Sequence, residues 1–155
     1  MEDDANGPAV RFPPPLVFFI LMLVGYGAQR YGPIGIGVSP ELKYLGAAVA
    51  IAGLCIVGLT RQQFKRAETN IEPWKSTTKI LSTGIYAHSR NPVYVAFCLL
   101  PIGWGLFLDS LWILLSFVPS VALVYWTAIR KEEAYLEKKF GEEYVQYKRR
   151  VRRWL

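Results

Sequence analysis

Charge is scarce in this chain. Only 19% of its 155 residues are Asp, Glu, Lys or Arg, against about 25% in an ordinary soluble domain, while 52% are apolar. Histidine occurs once and cysteine twice, too few for a structural zinc site. Cys55 and Cys98 each fall inside an apolar run and read as small hydrophobes, not as a disulfide or metal ligands. Internal repeats and low-complexity tracts are absent. The acidic start Met1-Glu2-Asp3-Asp4 stands where a secretory signal would be basic, so no signal peptide is expected. There is no strand–glycine–helix dinucleotide fingerprint: Gly32-x-x-Gly35-x-Gly37 follows an apolar helical run instead of a strand. The net charge of +6 raises the question of nucleic acid. The cations, however, lie in two blocks, Arg61 to Arg90 and Arg130 to Arg153, with apolar runs between, and they are not interleaved with aromatics on one surface. No nucleic-acid partner is expected.

What is present is a set of four apolar segments. They predict spans over about 16–31, 42–60, 93–108 and 111–129. A bilayer core of about 30 Å needs about 20 apolar residues per crossing. The first and third segments are short for that, so local thinning or flanking aromatics must help. Pro13-Pro14-Pro15 reads as an entry signal for the first helix. Asp109-Ser110 alone separates the third and fourth segments, which implies a tight helical hairpin. With a cytoplasmic N-terminus, 16 of the 18 basic residues fall on the cytoplasmic side and only Arg30 and Lys43 on the other. This asymmetry follows the positive-inside rule and favours an even number of crossings. The expected architecture is an all-α polytopic membrane protein with about four transmembrane helices. A disordered tail over 1–12 precedes a single membrane domain over 13–155, with a cytoplasmic loop at 61–92 and a C-terminal cap at 130–155. The short loops suggest a bacterial inner membrane with both termini cytoplasmic, and the oligomeric state is open.

Pro101 and Pro119 sit inside the third and fourth segments. They imply either a kink or a widened space between helices. Beyond Ile129, Leu136, Phe140, Tyr144, Tyr147 and Val151 recur at spacings of three and four, an amphipathic stripe that Gly141 divides into two short helices. Its opposite face is crowded with Lys and Arg. That face suits anionic headgroups, and the helix can also fold back over a site.

The loop at 61–92 is long for a membrane connection, and long loops in compact chains usually carry function. It ends in Thr83-Gly84-Ile85-Tyr86-Ala87-His88-Ser89-Arg90-Asn91-Pro92-Val93-Tyr94. Arg90 is a fixed cation at the mouth of the third span, and Asn91-Pro92 is a helix-entry signal. Tyr86 and Tyr94 are either an ordinary interfacial aromatic belt or part of a site. Arg130, Glu132 and Glu133 follow the fourth span. The carboxylates form ion pairs with nearby cations, or a carboxylate and a guanidinium from separate elements converge on a membrane-edge pocket that orients a charged ligand.

Two strings carry a resemblance. The first is Gly84-x-Tyr86-x-x-x-Arg90-x-Pro92-x-Tyr94. After a hydrophobic hairpin comes Glu132-Glu133-x-x-Leu136-x-x-x-Phe140-Gly141-x-x-Tyr144-x-x-Tyr147-x-x-x-Val151-x-Arg153. Together they resemble the isoprenylcysteine carboxyl methyltransferase and phospholipid methyltransferase superfamily of integral-membrane enzymes, over about residues 60–155. The resemblance implies S-adenosylmethionine as cofactor, in a pocket at the cytoplasmic ends of the last helices closed by the C-terminal segment. It implies that Tyr86, Arg90, Asn91, Pro92 and Tyr94 line this pocket, that Glu132 and Glu133 face it, and that Tyr144, Tyr147, Arg149 and Arg153 cap it. Arg90 and Glu133 are the expected catalytic residues, Glu133 serving as base where the acceptor is an amine or hydroxyl. Many members carry histidine where this chain has Asn91, and asparagine cannot carry a proton. His88 is either its substitute or an exposed loop residue. The expected activity is methyl transfer to an apolar or lipid-linked acceptor entering from the bilayer. A non-catalytic membrane partner that keeps the fold is the alternative. A reductase related by fold is weaker, because no nicotinamide-phosphate site is visible.

Overall fold

The computed structural model describes residues 7–10, 12–72 and 74–155. Residues 1–6 and 11 of the tail expected to be disordered lie outside the described residues. About 70% of the chain is helical and there is no strand among the described residues, so the class is all-α. Helix α1 (Pro14–Tyr31) starts within the triple proline, where the missing N–H is not needed. Helix α2 (Pro40–Arg66) is N-capped by Ser39, whose side chain accepts from Leu42 N. Glu41 in its first turn and Lys65 and Arg66 in its last suit the helix dipole. It continues past the apolar run, because Arg61-Gln62-Gln63-Phe64-Lys65-Arg66 is made largely of good helix formers. Helix α3 (Pro92–Phe107) follows the Asn91-Pro92 entry.

The fourth apolar segment runs into the cap as one long helical rod, Leu111–Phe140. Within it lie α4 (Leu111–Leu115), α5 (Phe117–Val124), a π turn (Tyr125–Ile129) and α6 (Arg130–Phe140). The α-helical pattern lapses at Ser116, one residue after the carbonyl that the Pro119 ring crowds. The hydroxyls of Ser116 and Ser120 bond back to Ile113 O (2.6 Å) and Ser116 O (2.7 Å). Gly141, at φ 55°, turns the chain into α7 (Glu142–Arg150).

Two helices, Pro40–Arg66 and Leu111–Phe140, are long and apolar enough to cross a membrane. Only 17% of the apolar window of the first is buried within the protein, where a soluble core helix would be mostly buried. Ile51, Leu54 and Leu59 point outward. Helix α3 is apolar but shorter, and Gln29 and Arg30 dilute the end of α1.

Helices α2 and α3 meet backbone to backbone. A Cβ on Gly103 would lie 2.6 Å from both Ala50 N and Gly46 O, the close approach that small residues permit between helices in lipid. Phe18 of α1 stacks on Phe97 of α3 at 5.8 Å. At the end remote from the long loop, the Asp109 carboxylate accepts the backbone N–H groups of Ile36 and Gly37 (both 2.9 Å) and of Val38 (3.3 Å). The Gly32–Gly37 stretch thus wraps a side chain of its own protein.

Candidate functional site

A cavity of about 330 Å³ opens where the start of α1, the end of α2, the start of α3, α6 and α7 converge. Eight of the residues singled out from sequence line it: Tyr86, Arg90, Asn91, Tyr94, Glu132, Glu133, Tyr144 and Tyr147. Pro92 does not; it is buried as the first residue of α3. His88 is exposed, with Nδ1 only 3.3 Å from Gly84 O, and Arg149 is exposed on α7. Pro101 and Pro119 are not among the lining residues, so neither widens this space.

Local structure explains the convergence. A 3₁₀ turn (Gly84–Ala87) buries Tyr86, and Tyr147 Oη donates to Tyr86 O at 2.8 Å. That bond fastens α7 beneath the loop. The amphipathic stripe has folded back: Tyr144, Tyr147 and Val151 form a small core with Ile80, Leu136 and Phe140. The C-terminal segment then crosses the start of α3. Arg90 N donates to Arg152 O (2.9 Å) and Asn91 Nδ2 to Arg153 O (3.1 Å). Asn91 therefore serves as a fastener for this segment.

The two glutamates have separate surroundings. Glu133 is 9% exposed and lies between two guanidiniums. Arg153 binds it with Nε to Oε1 at 3.0 Å and Nη2 to Oε2 at 2.9 Å. Arg90 Nη1 is 3.2 Å from Oε1. Arg153 also lies over the Tyr125 ring at 5.3 Å, so the π turn supports the clamp. Glu132 has no cation against it among the described residues; its recorded bond is from Tyr94 Oη at 2.5 Å. It sits beyond the apolar run that ends at Ile129, and the surface it retains faces the cavity. Burial pushes its carboxyl up to about 7, against the lowering effect of the Tyr94 hydrogen bond. Burial likewise raises Tyr144 above the usual phenol range and Tyr147 to about 12, so both are hydrogen-bonding phenols, not phenolates.

Arg90 is the least satisfied group. Its side chain is 9% exposed; Nε is buried without a hydrogen bond among the described residues, while Nη1 meets Glu133 in the ion pair. Buried polar groups are almost always paired, so a guanidinium beside a cavity with an unbonded Nε is a place for an anionic ligand. Much of the remaining lining is apolar, from Val57, Phe64, Trp74, Ile80, Val93 and Phe97. Arg61 and Lys79 also line it, as do Pro8 and Pro13 to Pro15. None of these was expected at the site from sequence, where Arg61 marked only the edge of a basic block and Pro13-Pro14-Pro15 only a helix entry. The cavity joins a cationic edge, a carboxyl and phenols to an oily compartment.

The sequence model of a family described as phospholipid methyltransferase matches residues 42–143. An uncharacterised protein of Haemophilus influenzae is 38% identical over 63 residues, covering 41% of this chain and all of that one. Protein-S-isoprenylcysteine O-methyltransferases of Schizosaccharomyces pombe and Saccharomyces cerevisiae are 37% and 36% identical over 76 and 72 residues, each match covering 46% of this chain. The matched stretches span 30% of the length of those yeast enzymes.

Proposed function

This chain belongs to the phospholipid methyltransferase family, and from that premise we propose that it moves a methyl group from S-adenosylmethionine to an apolar or lipid-linked acceptor at the cytoplasmic face of a membrane. The observation that carries the reading is Arg90, whose buried Nε has no hydrogen bond among the described residues and which shares one cavity with Glu132 and an apolar compartment. S-Adenosylmethionine, when bound, supplies an activated methyl on a sulfonium. The residues present fit such a molecule. The Arg90 guanidinium, with its unbonded Nε, matches its carboxylate, Glu132 matches positive charge, and the tyrosine rings offer faces to a sulfonium.

In this reading Arg90 is a catalytic residue through ligand contact. Glu133 is a positioning residue: its two oxygens are taken up by Arg90 and Arg153 of the same chain. Glu132 takes the role of base where the acceptor is an amine or hydroxyl; a carboxylate or thiolate acceptor needs none. The apolar compartment excludes water and aligns the acceptor for in-line displacement.

We further propose four crossings, by α1, α2, α3 and the upper part of Leu111–Phe140, in a bacterial inner membrane with both termini cytoplasmic. Support comes from the 16 of 18 basic residues that this arrangement puts on one side. A second reading is a non-catalytic membrane partner that keeps the fold, in which Arg90, Glu133 and Arg153 form a structural clamp only. Calorimetry of the purified protein in nanodiscs separates the two. Saturable binding of S-adenosylmethionine and S-adenosylhomocysteine supports the enzyme, and no binding by folded protein supports the partner.

A further inference from the structure

We infer that residues 7–10 and 12–15 are a fixed wall of the cavity's apolar compartment and set the bulk of the acceptor that enters; the inference rests on the methyltransferase reading. Pro8, Pro13, Pro14 and Pro15 all line the cavity. Val10 is 4% exposed and belongs to the same apolar cluster as Tyr94 and Phe97. The segment is held at three points. Gly7 lies so close to the long loop that a Cβ there would be 2.4 Å from Lys75 O. Lys131 Nζ of α6 reaches Ala9 O at 3.5 Å. The Phe18–Phe97 stack fixes the helix that follows.

Composition explains why such a wall discriminates. Proline locks φ near about −65° and has little freedom left to lose, so a proline face cannot yield to a bulky ligand as a flexible side chain would. The wall shares the cavity lining with Val57, Phe64 and Phe97, and Val10 behind it belongs to the apolar cluster of Phe97 and Val57. It also lies outside residues 42–143, the stretch that matches the family, so acceptor bulk is set by a part of the chain that this match does not cover.

The test uses the full-length chain in nanodiscs and two photoreactive diazirine alcohols, one with a slim decyl tail and one with a branched phytanyl tail. Covalent capture is mapped by peptide mass spectrometry to Phe64, Ile80 and Phe97. The native chain is expected to capture the slim probe and exclude the branched one. Pro8→Ala, which trims the wall, should raise capture of the branched probe severalfold. Val10→Asp, which forces a charge into the dry cluster and drives the segment off it, should raise it further. Equal capture of both probes by the native chain, no gain in Pro8→Ala, or capture of neither probe overturns the proposal. Calorimetric titration of the same samples with S-adenosylmethionine keeps the two readings apart. Binding without size selection removes the wall and leaves the methyltransferase standing; size selection without binding does the reverse.

Discussion

Glu133 and Arg153 meet through two parallel hydrogen bonds, 3.0 and 2.9 Å long, and this pair holds the C-terminal segment against α6. Breaking one member of a buried ion pair costs about 3–5 kcal/mol, because the remaining charge is stranded. Glu133→Gln strands both Arg90 and Arg153. It is expected to lower the midpoint of thermal unfolding and to weaken S-adenosylmethionine binding. Arg153→Ala should do both less severely, since Arg153 is 36% exposed. The double variant should fall short of the sum by about 0.5–3 kcal/mol, read from thermal unfolding. Strict additivity would mean that the two side chains act independently.

Arg90→Ala should remove a guanidinium that lines the cavity. Charge-assisted hydrogen bonds contribute about 1.5–3 kcal/mol, so calorimetry should find binding weakened about 10–100-fold. Arg90→Lys keeps the charge and loses the planar fork, and it should give an intermediate affinity. Native affinity in Arg90→Ala would take Arg90 out of the site.

Glu132 carries a pH signature. With its carboxyl near pH 7 through burial, the group is neutral below that value and anionic above it. A cationic ligand favours the anion, so S-adenosylmethionine should bind more tightly as pH rises from about 6 to about 8, with release of a proton on binding. Glu132→Gln should flatten the profile. Tyr94→Phe removes the hydrogen bond that stabilises the anion, so the profile should move to higher pH. A flat native profile would show that Glu132 does not face the ligand.

Packing of α2 on α3 offers a structural control. Gly103→Val places a branched side chain where even a Cβ would sit 2.6 Å from Ala50 N. Overpacking of this kind costs about 1–3 kcal/mol, visible in thermal unfolding in nanodiscs. Gly58→Ala, whose Cβ would meet nothing within 4 Å, should leave the midpoint unchanged or slightly raised.

The helices were legible because apolar run length and proline placement act locally. Pro14, Pro40 and Pro92 mark three helix starts, each close to the expected boundary. The end of α2 was not legible from hydropathy, since Arg61 to Arg66 are polar yet helical. At the site, the residue types and their convergence could be read from the two spaced strings. The division between Glu132 and Glu133 could not. Adjacent residues on a helix point about 100° apart, and which of them meets the arginines depends on helix rotation. Val10 was hidden for a similar reason: an acidic, proline-containing tail reads as disordered, and its burial depends on Tyr94 and Phe97, distant in sequence.

The π turn at Tyr125–Ile129 makes the Leu111–Phe140 rod a two-part crankshaft. Such a turn accommodates one residue more than an α-helical turn, so it sets the angular phase between the upper half and the lower half that bears Glu132 and Glu133. Deleting Thr127 would let this turn close as α-helix with both carboxylates nearly where they were, because four residues at about 100° each sweep close to the arc that five cover at the wider π pitch. Deleting one residue from the regular helix between Arg130 and Glu132 would instead swing both carboxylates by about 100° and dismantle the site. A one-residue gap in an alignment therefore keeps the carboxylates in phase only where it falls on the π turn.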